Sequence, residues 1–263
     1  MTLDIDELVR LSQSGEALIA SEQEGCTLFE VHQDRGLRWL YVGDNSLLSL
    51  MRLDAPDQLL LDYQLAMVSV LIFRLAPARV LDLGLGGGAL ARFFHRRLPD
   101  TELLSVERSA AMVALASRYF SLPEECAVET CSVENYLSGS PQPCELVLCD
   151  LFEGENHSQL VEQEGFYRAL GDRLTEGGTL AINLLPLDVA HLLRVLMPLR
   201  ASFPYVALID VPRCGNIVLL AAREPLLVDV DAEQRIARLS TELAMDIARP
   251  LEWLQHLPVP GAV

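Results

Sequence analysis

Nine residues, Val80-Leu81-Asp82-Leu83-Gly84-Leu85-Gly86-Gly87-Gly88, constrain the fold more than any other stretch of this chain. A short apolar run ends in clustered glycines, and an amphipathic pattern over residues 89–98 follows at once, so the segment reads as strand, tight turn, helix. Glycine at such a turn lets the backbone bend sharply and approach a ligand with no side chain in the way. The same turn can also serve helix packing alone, so its surroundings decide.

Downstream, apolar runs at 103–106, 127–130, 146–149 and 179–183 alternate with helical patterns at 110–120, 164–174 and 189–201. Strand and helix in repeating order predict a parallel sheet with helices on both faces. The last two runs, 205–210 and 217–222, are too close for a parallel crossover and are expected to pair antiparallel. Upstream, residues 3–20 read as a short helix or a helical pair broken near Gly15. Residues 26–32 and 37–42 flank a turn at Gln33-Asp34-Arg35-Gly36, and 46–53 adds a third strand. Asp57 is placed to cap a helix over 57–73, and 229–251 reads as an amphipathic helix. The division expected is 1–54, a helix with a small β unit, and 55–263, a nucleoside-binding α/β domain.

Composition narrows the function classes. At 51% hydrophobic and 22% charged, the chain lies outside the range of intrinsic disorder. Its 20 basic residues are all arginine and are outnumbered by 37 acids, for a net charge of -17, which argues against nucleic acid as a partner. The acidic balance serves solubility, and it is also compatible with a polycationic substrate. The longest uncharged apolar stretch, 63–73, is too short to span a bilayer, and Asp4, Asp6 and Glu7 stand where a secretory signal would be basic. Six cysteines without a CxxC pair suggest reduced thiols, so a cytoplasmic location with no membrane partner and no metal is expected.

The candidate site follows from where strands end. Glu107 stands 21 positions beyond Gly86 at the tip of the next strand, where a carboxylate can accept both hydroxyls of a ribose. A phosphate would be repelled by Asp82 and Glu107 together, whereas a cationic sulfonium nucleoside would be favoured. Asp150 ends the fourth strand, and ligands of open parallel sheets sit outside such carboxyl ends, so Asp82, Glu107 and Asp150 are expected to line one crevice. The lesser alternative for Asp150 is a helix cap or turn chemistry after a strand. Residues 155–164 are polar and long enough for a lid, with His157 expected in solvent.

The order of a small β unit, Tyr63-Gln64 on a helix, the glycine loop, Glu107, Asp150 with Glu153, a lid, and Phe166-Tyr167 resembles the spermidine synthase family of polyamine aminopropyltransferases. The resemblance implies a seven-stranded methyltransferase-like Rossmann fold, mostly parallel with an antiparallel last strand, and a homodimer. The implied donor is decarboxylated S-adenosylmethionine and the implied acceptor a polyamine. By the same resemblance Gly84, Gly86, Gly88, Glu107, Gln64 and Ser132 face the nucleoside, with Glu107 on the ribose and Ser132 at the adenine. Asp150 helps activate the attacking amine, and Tyr63 and Glu153 help hold it. There are departures: Gly87 stands where the family has an aspartate for the aminopropyl ammonium, Ser132 replaces an aspartate, and so does Glu153. Asp82 begins an acidic-x-Gly-x-Gly-x-Gly pattern that looks like ordinary S-adenosylmethionine methyltransferases. A small-molecule methyltransferase and a non-catalytic nucleoside-binding module therefore stand as alternatives.

Overall fold

The computed structural model describes residues 4–43, 46–74, 76–140, 142–153, 156–212, 214–226 and 231–259. Helix α1 (Ile5–Ser14) is capped by Asp4 and stops at Gly15 in the left-handed conformation. Four strands follow, β1 (Leu18–Glu24), β2 (Thr27–Asp34), β3 (Leu37–Val42) and β4 (Ser46–Arg52), paired in sequence order as an antiparallel sheet. The expected helical character up to residue 20 and the count of three strands are both corrected here. Strand β1 is exposed along nearly its whole length, so it lacks the alternation that marks a half-buried strand.

Helix α2 (Asp62–Val68) runs into a 3-10 turn (Ser69–Ile72), and no helix covers 57–61. Leu59 packs into the main core while Leu60 and Leu61 pack against the N-terminal sheet, so neighbouring side chains point apart and the chain stays extended. Asp57 pairs with Arg97 at 2.7 Å instead of capping a helix.

The main sheet is built from β5 (Arg79–Leu83), α3 (Ala89–Arg97), β6 (Glu102–Glu107), α4 (Ala110–Tyr119), β7 (Ala127–Thr130), α5 (Val133–Ser138) and β8 (Cys144–Cys149). A two-residue hairpin, β9 (Phe152–Glu153) with β10 (Asn156–His157), intervenes before α6 (Glu164–Arg173), β11 (Leu174–Leu184), α7 (Val189–Ser202), β12 (Tyr205–Asp210) and β13 (Ile217–Ala222). Helices α8 (Ala232–Leu243) and α9 (Ala248–Leu251) lead to β14 (Leu254–His256). The strand order is β14-β12-β13-β11-β8-β5-β6-β7, eight strands in all. Strands β7, β6, β5, β8 and β11 are parallel, and β13 runs antiparallel to both β11 and β12. This is the Rossmann-like methyltransferase fold, with β14 added at the edge against the expected seven strands. The expected C-terminal helix is broken where Ala244 turns left-handed, and Asp229 lies outside the described residues.

Both faces of this sheet are buried, which is why its strands read as continuous apolar runs. Val80, Leu146 and Leu148 face a core shared with α2, α3 and α8; their neighbours Leu81, Val147 and Cys149 face a second core shared with α5, α6 and α7. All six thiols are free, and no helix among the described residues is long and apolar enough to cross a membrane.

Candidate active site

The carboxyl ends of β5, β6, β8 and β11 open into a cavity of about 1890 Å³ that is closed on its other side by β2 and β4 of the N-terminal sheet. On the nucleoside side, Gly84 (φ 100°) donates its N–H to the Val106 carbonyl at 3.0 Å. A Cβ there would stand 3.0 Å from the Asp150 carbonyl carbon and closer still to its oxygen, so only glycine fits where β5 and β8 converge. Glu107 accepts from Ser109 N at 2.9 Å on one oxygen and from Gly86 N at 3.4 Å on the other. Burial raises its pKa above the usual carboxylate range despite these bonds. Each oxygen retains acceptor capacity toward the cavity, which Glu107 lines together with Gly84, Gly86 and Ser132. The Ser132 hydroxyl caps α5 by accepting from Asn135 N at 3.2 Å.

Two residues of this stretch, Gly88 and Asp82, look elsewhere. Gly88 (φ 74°) is the N-cap of α3, and a Cβ there would meet Leu122 at 3.0 Å. Asp82 sits behind the loop at 1% exposure, accepting from Ser105 Oγ at 2.7 Å; neither it nor Gly88 is part of the cavity wall. Burial, with Asp150 and Glu107 nearby, pushes Asp82 up to about 7. The expected crevice of three carboxylates is therefore a crevice of two with a third buried behind it. At Gly87 a Cβ would fall 2.5 Å from the Ser49 Cβ and closer to its hydroxyl, so a buried residue of β4 fills that space. Buried Arg92 fixes the loop from behind, donating to the carbonyls of Gly87, Phe120 (2.7 Å) and Pro56 (2.7 Å).

On the opposite wall, Tyr63 at the start of α2 donates its hydroxyl to the Asp150 carboxylate, and the Gln64 amide donates to Tyr63. Gln64 is buried, with its Oε1 unpartnered. Asn216 Nδ2 donates to Asn183 Oδ1 at 3.0 Å, and Asn183 Nδ2 donates to Asp150 Oδ1 at 2.8 Å. Burial raises Asp150 to about 6, while the Asn183 and Tyr63 bonds favour its ionised form. Burial and the Asp150 charge hold Tyr63 well above its ordinary value, as the neutral phenol. Glu153 pairs with Asn156 across the β9–β10 hairpin; its side chain is outside the described set, as are residue 154 and residue 155, the first of the expected lid. His157, expected in solvent, is instead 4% exposed.

Asn183 and Asn216 escaped sequence reasoning. Each had a signal: Asn183 is the polar residue that interrupts the apolar run of β11 between Ile182 and Leu184, and Asn216 stands between Gly215 and β13. Ser49 and Arg92 had none, because their roles arise only where β4 and the 55–57 segment meet the glycine loop.

Residues 80–178 match the family described as "Methyltransferase domain". A polyamine aminopropyltransferase of Neisseria meningitidis is 27% identical over 231 residues, 86% of this chain and 88% of that protein. Among solved structures, a probable spermidine synthase from Corynebacterium glutamicum has a TM-score of 0.73 at 18% identity, covering 90% of this chain and 89% of its own. Human methyltransferase-like protein 13, solved in complex with SAH, has a TM-score of 0.62 at 20% identity, covering 78% of this chain and 98% of its own. At those identities the two structures speak to the fold. The likeness to aminopropyltransferases read from motif order thus extends through most of the chain.

Proposed function

We propose that this chain is a spermidine-synthase-like transferase that moves an aminopropyl group from decarboxylated S-adenosylmethionine to a polyamine acceptor. The observation that carries the reading is one cavity with a glycine loop and Glu107 on one wall and the Tyr63–Asp150–Asn183–Asn216 chain on the other. Whole-length similarity to named aminopropyltransferases points the same way.

The residues fit the nucleoside: Gly84 and Gly86 leave the loop backbone bare, Glu107 keeps acceptor capacity for a ribose, and the volume exceeds what a single small ligand needs. When bound, the sulfonium donor would supply an electrophilic carbon, to which an amine nitrogen bonds as the carbon–sulfur bond breaks and a neutral thioether leaves. Positive charge passes from sulfur to the attacking nitrogen in that step, so acids beside sulfur act by placement, whereas an acid beside the nitrogen also favours the charge that develops there. Asp150 faces the proton problem. Moving a proton from an ammonium near 10.4 to an ordinary Asp near 3.9 is uphill by roughly 9 kcal/mol. With Asp150 raised to about 6, the gap falls to roughly 6 kcal/mol, and burial of the ammonium lowers it further. Tyr63 and Asn183 hold the carboxylate in place, and the resemblance to aminopropyltransferases assigns Glu153 to the amine.

Methyl transfer from intact S-adenosylmethionine is the second reading. It rests on Gly87, where Ser49 occupies the place of a carboxylate, and on the methyltransferase-domain match. Calorimetric titration with both donors, followed by turnover with putrescine, separates them. Tighter binding of the decarboxylated donor and release of a nucleoside thioether with putrescine are expected; preference for the intact donor with methyl transfer would establish the second reading, and no binding of either would leave a non-catalytic module. The same proposal places the protein in the cytoplasm, divides it at 54/55 between β4 and α2, and makes it a homodimer. The exposed apolar stripe Val189, Leu193 and Met197 on α7 offers surface for such a contact, which sedimentation velocity tests.

A further inference from the structure

Just outside the cavity lining, the structure brings together His157 of β10, Glu162 at the end of the 159–162 turn, and His191 of α7, with one ligand atom of each within 4.8 Å of the others. We propose that these three side chains bind a divalent cation of borderline softness, Zn²⁺ foremost, bracing the hairpin that follows Asp150 against α7.

His157 gives the first reason. It is 4% exposed, and neither ring nitrogen has a hydrogen-bond partner. A neutral imidazole carries one donor and one acceptor, and burying both unmet is costly; a metal ion on one nitrogen satisfies the acceptor.

The second reason is the geometry of the other two. His191 is 6% exposed, and its ring centroid lies 4.2 Å from that of His157 at an interplanar angle of 30°. Its Nε2 stands 3.3 Å from Glu162 Oε1. Zinc–ligand bonds of about 2.0–2.1 Å in a tetrahedron give a ligand–ligand edge of about 3.3–3.4 Å, so this pair already has the required spacing. Closure asks the His157 and His191 rings, now nearly face to face, to turn so that a His157 nitrogen comes from within 4.8 Å to that spacing. Arg194 Nε holds the other Glu162 oxygen at 3.0 Å, orienting the carboxylate as a supporting residue does in metal sites, while its charge weakens the attraction for a cation. His191 Nδ1 accepts from Leu187 N at 3.2 Å, which places the proton on Nε2. Ligation through Nε2 therefore transfers that proton to Nδ1 and releases the Leu187 N–H to solvent beside an exposed side chain.

Two imidazoles and a carboxylate select against Mg²⁺ and Ca²⁺, which take oxygen donors, and suit Zn²⁺ with a fourth position for water. The ion would sit beside the structure that carries Asp150: Ser158 N donates to the Leu151 carbonyl at 2.9 Å, and Leu151 and Phe152 line the cavity. The inference does not depend on the transfer reaction.

The test uses full-length protein stripped with chelator, its thiols alkylated, then dialysed against buffered free Zn²⁺ and assayed for metal. About one equivalent per chain is expected, with affinity falling roughly 100-fold or more in His157→Ala and His191→Ala, roughly tenfold or more in Glu162→Gln, and unchanged in the exposed His95→Ala control. Circular dichroism checks each variant's fold. Should a histidine variant not fold, the wild-type Co²⁺ complex decides, the intense visible bands of four-coordinate cobalt being expected. Wild-type protein that holds no zinc, zinc that survives both histidine substitutions in folded variants, or only the weak spectrum of six-coordinate cobalt would each overturn the proposal.

Discussion

Asp150 is held by groups that pull its proton affinity in opposite directions. Burial favours the neutral acid, whereas Asn183 and Tyr63 both donate to the carboxylate and favour the ion, leaving it at about 6. Replacing Asp150 by Asn keeps the shape and removes the proton acceptor. Turnover is expected to fall by about 10²–10⁴-fold while the nucleoside dissociation constant changes little; unchanged turnover would remove Asp150 from the reaction. Asn183→Ala tests the relay behind it. Loss of a hydrogen bond to a charged group, worth about 1.5–3 kcal/mol, should raise the Asp150 pKa by about one unit or more. The acid limb of the kcat/KM profile, near pH 6 in the wild type, should then move to higher pH, so that activity at pH 6 drops more than activity at pH 8. A uniform loss at every pH would reduce Asn183 to a packing residue.

At the level of elements, β4 lies over the glycine loop so closely that Ser49 decides what residue 87 can be. Gly87 is outside the left-handed region, so its constraint is steric. Gly87→Ala should destabilise by about 1–3 kcal/mol through overpacking and weaken nucleoside binding. In a double-mutant cycle Ser49→Gly should recover at least about 1 kcal/mol of that loss, as measured by denaturant melts; an equal penalty in both backgrounds would contradict the steric account. Elements such as β5, β6, β8 and α3 were legible because burial on two faces or one writes itself into the sequence as apolar runs or a helical stripe. Strand β1 was not, since an exposed strand carries no such pattern, nor was β14, three residues whose place depends on pairing with β12. The site divides the same way. Glu107 and Asp150 could be placed because they end strands, and Tyr63 came with the motif order. Asp82 was misplaced because alternation along β5 turns its side chain behind the loop, a direction that glycine spacing does not reveal.

Across the whole molecule, a net charge of -17 coexists with buried acids at the centre of the fold, and the two respond differently to solution conditions. Asp82 is raised to about 7 from an ordinary 3.8, so between those values the folded protein binds a proton that the unfolded chain has released. Stability from this group is complete below pH 4 and declines as pH rises through 7, by an amount on the order of 4 kcal/mol. Asp150 and Glu107, also raised by burial, act in the same direction. Self-repulsion of the surface acids likewise grows with pH, but salt screens it within a Debye length of about 8 Å at 0.15 M, whereas the buried carboxyl is screened little. The melting temperature is therefore expected to fall between pH 5 and pH 8 at both low and high salt. Added salt should flatten only the surface part, and Asp82→Asn, which cannot ionise, should remove the Asp82 share of the remainder and leave the smaller share of Asp150 and Glu107. If the slope disappears in salt alone, or persists unchanged in Asp82→Asn, the buried acid behind the glycine loop does not govern the stability of this fold.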